Sequence, residues 1–309
     1  MNDKRVIIAH PHGFCSGVAR AVEAIAEALR RYPPPVYCYH EVVHNRQIVE
    51  DLTRQGVRFV ETLADVPDEA ALLFSAHGVA PAVRKDAQDK RLRVVDATCP
   101  FVTRAHAKAQ RLAARDCGIL LIGHRGHEEV EGVAAEAPER TMIVENEAEA
   151  MAVCPPDPDR LGVVTQTTLS VEFVHAMLAR LQERFPRLDA PEKGDICYAT
   201  QNRQQAVQAL ARVADTILVL GSRNSSNSRR LAEIARACGR PAYLISQRED
   251  LAEADLSATE TLGVTSGAST PESFLEEALA EVRAQGFART ENLVVARENV
   301  HSFPLPDFP

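Results

Sequence analysis

No stretch of this 309-residue chain approaches the run of about 20 apolar residues that a membrane-spanning helix needs. The first residues, Met1-Asn-Asp-Lys-Arg-Val-Ile-Ile, lead directly into a strand pattern and lack the apolar core of a signal peptide. Basic charge is in deficit: 35 Lys and Arg stand against 43 Asp and Glu, a formal net charge of -8, and no long basic run occurs. A nucleic-acid binder is therefore not expected. There is no Cys-x-x-Cys pair, which argues against a zinc ribbon or a thioredoxin-type dithiol. There is no G-x-G-x-x-G fingerprint either, so any electrons used in redox chemistry are expected from an external donor and not from a bound flavin or nicotinamide. Seven cysteines, an odd number without an export signal, argue against a disulfide framework and for a reducing compartment, the cytoplasm.

Against these absences stand three cysteines in one kind of setting. The runs Gly13-Phe14-Cys15-Ser16-Gly17, Asp96-Ala97-Thr98-Cys99-Pro100 and Gly194-Asp195-Ile196-Cys197-Tyr198 each read as a strand-to-helix turn that opens a module of similar layout. From Cys15, polar loops follow at His44 and His77, 29 and 62 residues on. From Cys99 they follow at His127 and Thr167, 28 and 68 on, and from Cys197 at Ser225 and Ser269, 28 and 72 on. A near-constant first interval with a drifting second one is what three copies of a β-α-β-α-β unit give, because insertions collect in surface loops. The units are expected at 1–95, 96–193 and 194–288, followed by a tail, 289–309, with joins before Asp96 and near Glu192-Lys193-Gly194.

Local patterning supports this division. Val18, Val22, Ile25 and Leu29 recur at helical spacing after Cys15, as do Val207, Leu210 and Val213 after Cys197. The unalternated apolar runs 119–122, 161–164 and 217–220, each followed by Gly or Thr, predict buried parallel strands that feed helix N-termini. Thr270-Pro271 predicts a helix start with Thr270 as cap, and Gly286 its stop. The expected fold is α/β, three pseudo-threefold-related units with mostly parallel sheets around a central iron–sulfur site. Candidate ligands then lie at the carboxyl ends of strands, where open α/β sheets bind ligands.

Three thiolates brought to one centre suit an iron–sulfur cluster with one iron free of protein ligands, a place for substrate. Helix-terminal N–H groups in such turns favour the thiolate form. A structural ion or a redox sensor would use the same three residues. For Cys38, Cys117, Cys154 and Cys238 the plainer reading, a small buried apolar residue, is adopted. His44, His77, His127, Thr167, Thr168, Ser225, Ser226, Asn227 and Ser269 form a set of loop donors, suited with helix N-termini to a phosphate or diphosphate. In Gly123-His-Arg-Gly-His127-Glu128-Glu129, carboxylates adjoin a histidine, a pairing able to relay protons.

The runs Gly13-Phe-Cys-Ser-Gly-Val18, Glu41-Val-Val-His-Asn45, Ser75-Ala-His-Gly78, Asp96-Ala-Thr-Cys-Pro100 and Gly126-His-Glu-Glu-Val-Glu-Gly132 occur in that order. Thr165-Gln-Thr-Thr-Leu-Ser170, Ile196-Cys-Tyr-Ala-Thr200, Gly221-Ser-Arg-Asn-Ser-Ser-Asn-Ser228 and Gly267-Ala-Ser269 complete the series. With them the chain closely resembles, over essentially its whole length, the 4-hydroxy-3-methylbut-2-enyl diphosphate reductase family, which closes the methylerythritol phosphate route to isoprenoids. The resemblance implies a [4Fe-4S] cluster on Cys15, Cys99 and Cys197 whose fourth iron takes the substrate hydroxyl. It implies that Glu129 is the proton donor and that His44, His77, His127, Thr167, Ser225, Ser226, Asn227 and Ser269 bind substrate, with Thr168 beside them. An external ferredoxin- or flavodoxin-like protein would supply electrons.

The chain departs from that family's commoner pattern at Glu128, where proline usually stands; a second carboxylate and a looser turn are expected there. No appended nucleic-acid-binding domain of the kind some relatives carry is expected. A rival reading is another three-unit iron–sulfur enzyme, similar to quinolinate synthase. Its dicarboxylate would call for converging arginines instead of loop hydroxyls and an asparagine.

Overall fold

The computed structural model describes residues 4–191 and 194–309, so the expected join at Glu192 and Lys193 lies outside the described residues. The chain begins with β1 (Arg5–His10), α1 (Ser16–Arg31), β2 (Val36–Tyr39), α2 (Arg46–Arg54), β3 (Val57–Val60), β4 (Ala71–Phe74), α3 (Pro81–Asp89) and β5 (Arg93–Asp96). It continues with α4 (Pro100–Ala114), β6 (Gly118–Ile122), α5 (Glu128–Ala134), β7 (Thr141–Val144), α6 (Glu147–Ala152), β8 (Leu161–Thr165) and α7 (Val171–Arg184). The last elements are α8 (Tyr198–Leu210), β9 (Thr216–Leu220), α9 (Ser226–Ala237), β10 (Ala242–Ile245), β11 (Thr261–Ser266), α10 (Glu272–Ala284) and β12 (Arg289–Val294). Strands and helices alternate into three sheets whose described pairings are all parallel, the α/β class that the sequence predicts.

The chain divides into two compact units. One comprises residues 1–19, 44–50 and 198–303 and holds the five-stranded sheet β10-β9-β11-β1-β12. Its inner strands are apolar on both faces, since successive side chains point to opposite sides. Val6, Ile8, Leu218 and Leu220 pack with Phe274, Leu275 and Leu279 of α10, whereas Ile7, Ala9, Ile217 and Val219 pack with Val207 and Leu210 of α8 and Leu231 of α9.

The other unit comprises residues 20–43, 51–197 and 304–309 and holds two sheets, β3-β2-β4-β5 and β7-β6-β8. In the three-stranded sheet, Leu120, Ile122 and Val163 face α7, and Ile119, Leu121 and Val164 face α4 and α5. The runs predicted as buried strands, β6, β8 and β9, are buried almost throughout. No helix among the described residues is long and apolar enough to cross a membrane.

The repeat is visible as topology. The orders β3-β2-β4, β7-β6-β8 and β10-β9-β11 are one three-stranded pattern written three times. A further segment lies beside the last strand of each: β5 beside β4, β1 beside β11, and, beside β8, a single parallel bridge from Gly162 to Asp189. Each of these added segments runs toward the next cysteine turn in the chain.

Two expectations change as a result. The first strand does not join the sheet of residues 36–96, since β1 pairs with β11 and β12. Residues 289–294, within the tail, form β12 in register with β1. Thr270, expected to cap α10, instead donates to the carbonyl of Leu220, and Pro271 takes the cap position. Gly286 follows the helix at φ +96°, the left-handed conformation that ends helices.

Candidate active site

All three cysteines of the repeat occupy the position just before the first residue of a helix: Cys15 before α1, Cys99 before α4 and Cys197 before α8. Each is partly exposed, and no disulfide links any of the seven cysteines. Each also donates its backbone N–H to a carbonyl in the second polar loop of the module before it. Cys15 bonds Ala268 at 3.1 Å, Cys99 bonds Ala76 at 3.0 Å and Cys197 bonds Thr167 at 3.3 Å. For Cys15 and Cys99 the segment leading to the cysteine is the added strand of the sheet that carries that loop, so sheet pairing itself brings the turn and the loop together. Of the other four, Cys38 and Cys117 are buried as expected; Cys154 and Cys238 are exposed, contrary to the buried-residue reading.

In the unit containing residues 51–197, His77, His127, Glu128, Glu129 and Thr167 form one cluster. His127 caps α5, its Nδ1 accepting the backbone N–H of Glu129 at 3.2 Å. The Glu129 side chain turns inward and is only 2% exposed. Its carboxyl accepts the Thr167 backbone N–H at 2.7 Å and lies 3.0 Å from the Thr167 hydroxyl. Burial pushes the pKa of Glu129 up from 4.5 to about 7, against the opposing pull of the two Thr167 bonds and the nearby His106. A carboxyl so placed keeps a large protonated fraction near neutral pH, as a general acid requires. His77 and His127 meet edge to face at 5.9 Å between ring centroids. Thr168 accepts from the Gln166 amide at 3.0 Å.

In the unit containing residues 198–303, Ser225 caps α9, its hydroxyl oxygen accepting from the backbone of Ser228. Ser225, Ser226 and Asn227 are all buried in this first helical region. Both polar atoms of the Asn227 side chain lack a hydrogen-bond partner among the described residues. Buried amide groups left in this state cost stability unless a ligand satisfies them. The packing here depends on glycine: a Cβ at Gly267 would come within 2.0 Å of the Ser228 hydroxyl and 3.5 Å of the Asn227 amide nitrogen. Ser269 donates to the backbone carbonyl of His44 at 3.0 Å. The start of α9 thus offers an amide, hydroxyls and a helix dipole to an anion.

A family model described as LytB protein matches residues 6–283. The chain belongs to the LytB protein family. Among its LytB relatives, the 4-hydroxy-3-methylbut-2-enyl diphosphate reductase of Leifsonia xyli subsp. xyli is 48% identical over 304 residues, spanning 98% of this chain and 90% of that protein. The reductase of the same name from Azoarcus sp. (strain BH72) is 45% identical over 306 residues, spanning 99% and 98%. The solved structure of the E-1-hydroxy-2-methyl-but-2-enyl-4-diphosphate reductase from Plasmodium falciparum superposes with a TM-score of 0.93 at 37% identity, covering 98% of this chain and 96% of that one. A second solved structure, of (E)-4-hydroxy-3-methyl-but-2-enyl diphosphate reductase, the terminal enzyme of the non-mevalonate pathway, gives 0.64 at 29% identity, covering 91% and 99%.

Within this LytB chain, Glu128 does add the second carboxylate beside Glu129 that its sequence predicts. It is the first residue of α5, where a carboxylate suits the helix dipole, and it bonds Nδ1 of His77 at 2.8 Å. The cation beneath each cysteine turn escaped sequence reading. Arg203 donates to the Gly13 carbonyl at 2.7 Å. Arg20 donates to the Thr98 carbonyl at 3.1 Å and the Asp96 carbonyl at 3.3 Å. Lys108 bonds both oxygens of Asp195 at 2.9 Å, and Asp195 in turn accepts from the Thr165 backbone at 3.0 Å. The one signal in sequence is that Asp96 and Asp195 stand within the cysteine turns.

Asp195→Asn keeps the shape and gives up the charge that Lys108 pairs with. This pair is largely buried, at 19% and 22% exposed, so a loss of about 1–3 kcal/mol is expected in denaturant unfolding. Arg115→Gln, which breaks the exposed Arg115–Asp189 pair, is expected to cost under ~1 kcal/mol in the same measurement.

Proposed function

We propose that this chain reduces (E)-4-hydroxy-3-methylbut-2-enyl diphosphate to isopentenyl and dimethylallyl diphosphates, the last step of the methylerythritol phosphate route. The observation that carries the reading is Glu129, a buried carboxyl with its pKa raised to about 7 and held by Thr167. Its chemistry matches a reaction that breaks a C–O bond and must protonate the departing hydroxyl. The balance is two electrons and two protons in, with the hydroxyl leaving as water and the second proton ending on carbon.

Cys15, Cys99 and Cys197 are assigned as ligands of one [4Fe-4S] cluster whose fourth iron has no protein ligand. The donor set fits: three thiols, each partly exposed and each placed directly before the first residue of a helix. When bound, such a cluster supplies electrons and a Lewis-acidic iron for the substrate oxygen. The electrons would come from an external ferredoxin- or flavodoxin-like donor in the cytoplasm. Glu129 gives the proton to the leaving oxygen, Thr167 orients that carboxyl, and His127, which caps the backbone N–H of Glu129, binds substrate. Thr168, beside Thr167, completes the hydroxyl lining. His77, buttressed by Glu128, binds substrate as a hydrogen-bond donor. His44, Ser225, Ser226, Asn227 and Ser269 take the diphosphate, whose binding energy, remote from the reacting carbon, orients the hydroxyl. The unpartnered Asn227 amide favours this ligand over a dicarboxylate, which would call for arginines.

The test is anaerobic turnover of the allylic diphosphate with a reduced low-potential dye. Two isomeric diphosphate products are expected, and cluster-loaded protein that binds the substrate without consuming it overturns the reading. Ser225→Ala together with Asn227→Ala is expected to raise KM about 10-fold or more, with a smaller change in kcat, as loss of uniform binding requires. A kcat loss at unchanged KM would move these residues from binding to chemistry.

A further inference from the structure

Arg203 is wholly buried in α8, yet its charge has one carboxylate among its described partners. That partner is Glu298, itself 4% exposed, at 3.0 Å, and Asn202 donates to the second oxygen of Glu298 at 2.9 Å. The remaining bonds of Arg203 go to the carbonyls of Ala199 and Gly13, and its Nε has no acceptor among the described residues. A buried ion pair of this kind contributes little net stability compared with apolar residues of the same volume. What an apolar pair could not do is bond the Gly13 carbonyl, two residues before Cys15.

The same terminal segment grips the other side of the cysteine. Ser16 donates to the Asn299 carbonyl at 2.9 Å, Ser302 donates to Ser16 at 2.9 Å, and the Tyr198 hydroxyl lies 2.7 Å from the Ser16 oxygen. Gly13 and Ser16 bracket Phe14 and Cys15, so the turn is held from both ends by groups that depend on residues 298–302.

We propose that residues 298–302 are a strap that positions the Cys15 turn, acting through the Arg203–Glu298 pair on Gly13 and through Ser302 and Asn299 on Ser16. The strap sets the presentation of the Cys15 thiol through Gly13 and Ser16, and these bonds do not involve the Cys99 turn. Arg203, Glu298 and Ser302 are positioning residues, and the inference rests on the cluster reading only in giving Cys15 a ligand to hold.

The experiment compares full-length chains with Ser302→Ala, with Glu298→Gln, and with Arg203→Met and Glu298→Met together. The paired change removes both buried charges and so preserves folding where Glu298→Gln alone leaves Arg203 uncompensated. Arg5→Gln, which breaks the half-exposed Arg5–Glu291 pair elsewhere in the same sheet, is the control. In reduced, metal-free protein, site-resolved alkylation of Cys15 is expected to rise about 10-fold or more in the double variant and severalfold in Ser302→Ala, with Cys99 unchanged and Cys197, whose neighbour Tyr198 meets Ser16, changed far less than Cys15. In anaerobically iron-loaded protein, the same variants are expected to lose iron to a chelator faster and to show an altered electron-spin spectrum of the reduced state, whereas Arg5→Gln does neither. Parent-like Cys15 alkylation in the folded double variant and in Ser302→Ala, or an equal rise at all three cysteines, overturns the proposal. Selective exposure of Cys15 in a chain that never binds iron would uphold the strap while refuting the cluster reading.

Discussion

Glu129→Gln is expected to lower kcat by ~10²–10⁴, the loss typical of a missing general acid, while the allylic diphosphate still binds. The amide retains the shape and can still accept the Thr167 backbone N–H, but has no proton of suitable acidity to give. In the parent, the raised pKa of about 7 has two consequences with the same sign. The acid form disappears as pH rises through about 7, so kcat should fall on the alkaline side, and that limb should vanish in Glu129→Gln. For stability, a carboxyl whose folded pKa lies above its unfolded value favours the fold most below the unfolded pKa. That contribution is lost as pH rises through the folded value. The parent should therefore be easier to denature at pH 8 than at pH 5 by more than Glu129→Gln is. Glu128→Gln, which weakens a contact to His77 without touching Thr167, should cost far less activity. If Glu128 proved the sensitive position and Glu129 the tolerant one, the proton-donor assignment would be wrong.

How much of this was legible in sequence can be judged element by element. The buried strands β6, β8 and β9 were readable because parallel strands covered on both faces become continuous apolar runs. The cysteine turns were readable because the first interval after each cysteine spans one helix and one strand, with little room for insertion. Sheet membership of β1 was not readable. A local pattern says that residues 5–10 form a strand, but its partners β11 and β12 lie more than 250 residues away, and nothing in its own residues names them. The strand within the tail is hard to read for a related reason: residues 289–294 are mostly polar or exposed, as an edge strand's are, so they resemble a loop. In the site, Glu129 was found by motif, but its raised pKa depends on burial beneath Thr167, 38 residues on. Arg203 in the middle of α8 carries no signal in its sequence neighbourhood; only packing shows that it is wholly buried and bonded to the Gly13 carbonyl.

Substituting serine for Cys15, Cys99 or Cys197 is expected to abolish iron retention, one variant at a time. A hydroxyl is a harder and far less acidic ligand than a thiol, and a site with three protein ligands has none to spare. The other four cysteines provide controls that separate loss of a ligand from loss of the fold. Cys38 is fully buried, its thiol pKa pushed well up by burial and by Glu128, so Cys38→Ser puts a hydroxyl into an apolar core. It should cost roughly 1–3 kcal/mol of stability and leave the iron count unchanged. Cys117→Ser should behave in the same way with a smaller penalty, since its thiol already faces the Arg115 carbonyl at 3.7 Å. Cys154 and Cys238 are exposed, and their serine variants should change neither iron content nor unfolding midpoint. Iron and sulfide counts on anaerobically prepared protein, set beside denaturant unfolding of all seven variants, give the two readouts. Destabilisation alone predicts that iron loss follows the unfolding midpoint, with Cys38→Ser among the worst. Ligation predicts that iron loss follows position in the repeat, complete at Cys15, Cys99 and Cys197 even where the fold stays firm, and iron lost equally across both groups would remove the basis for assigning these three.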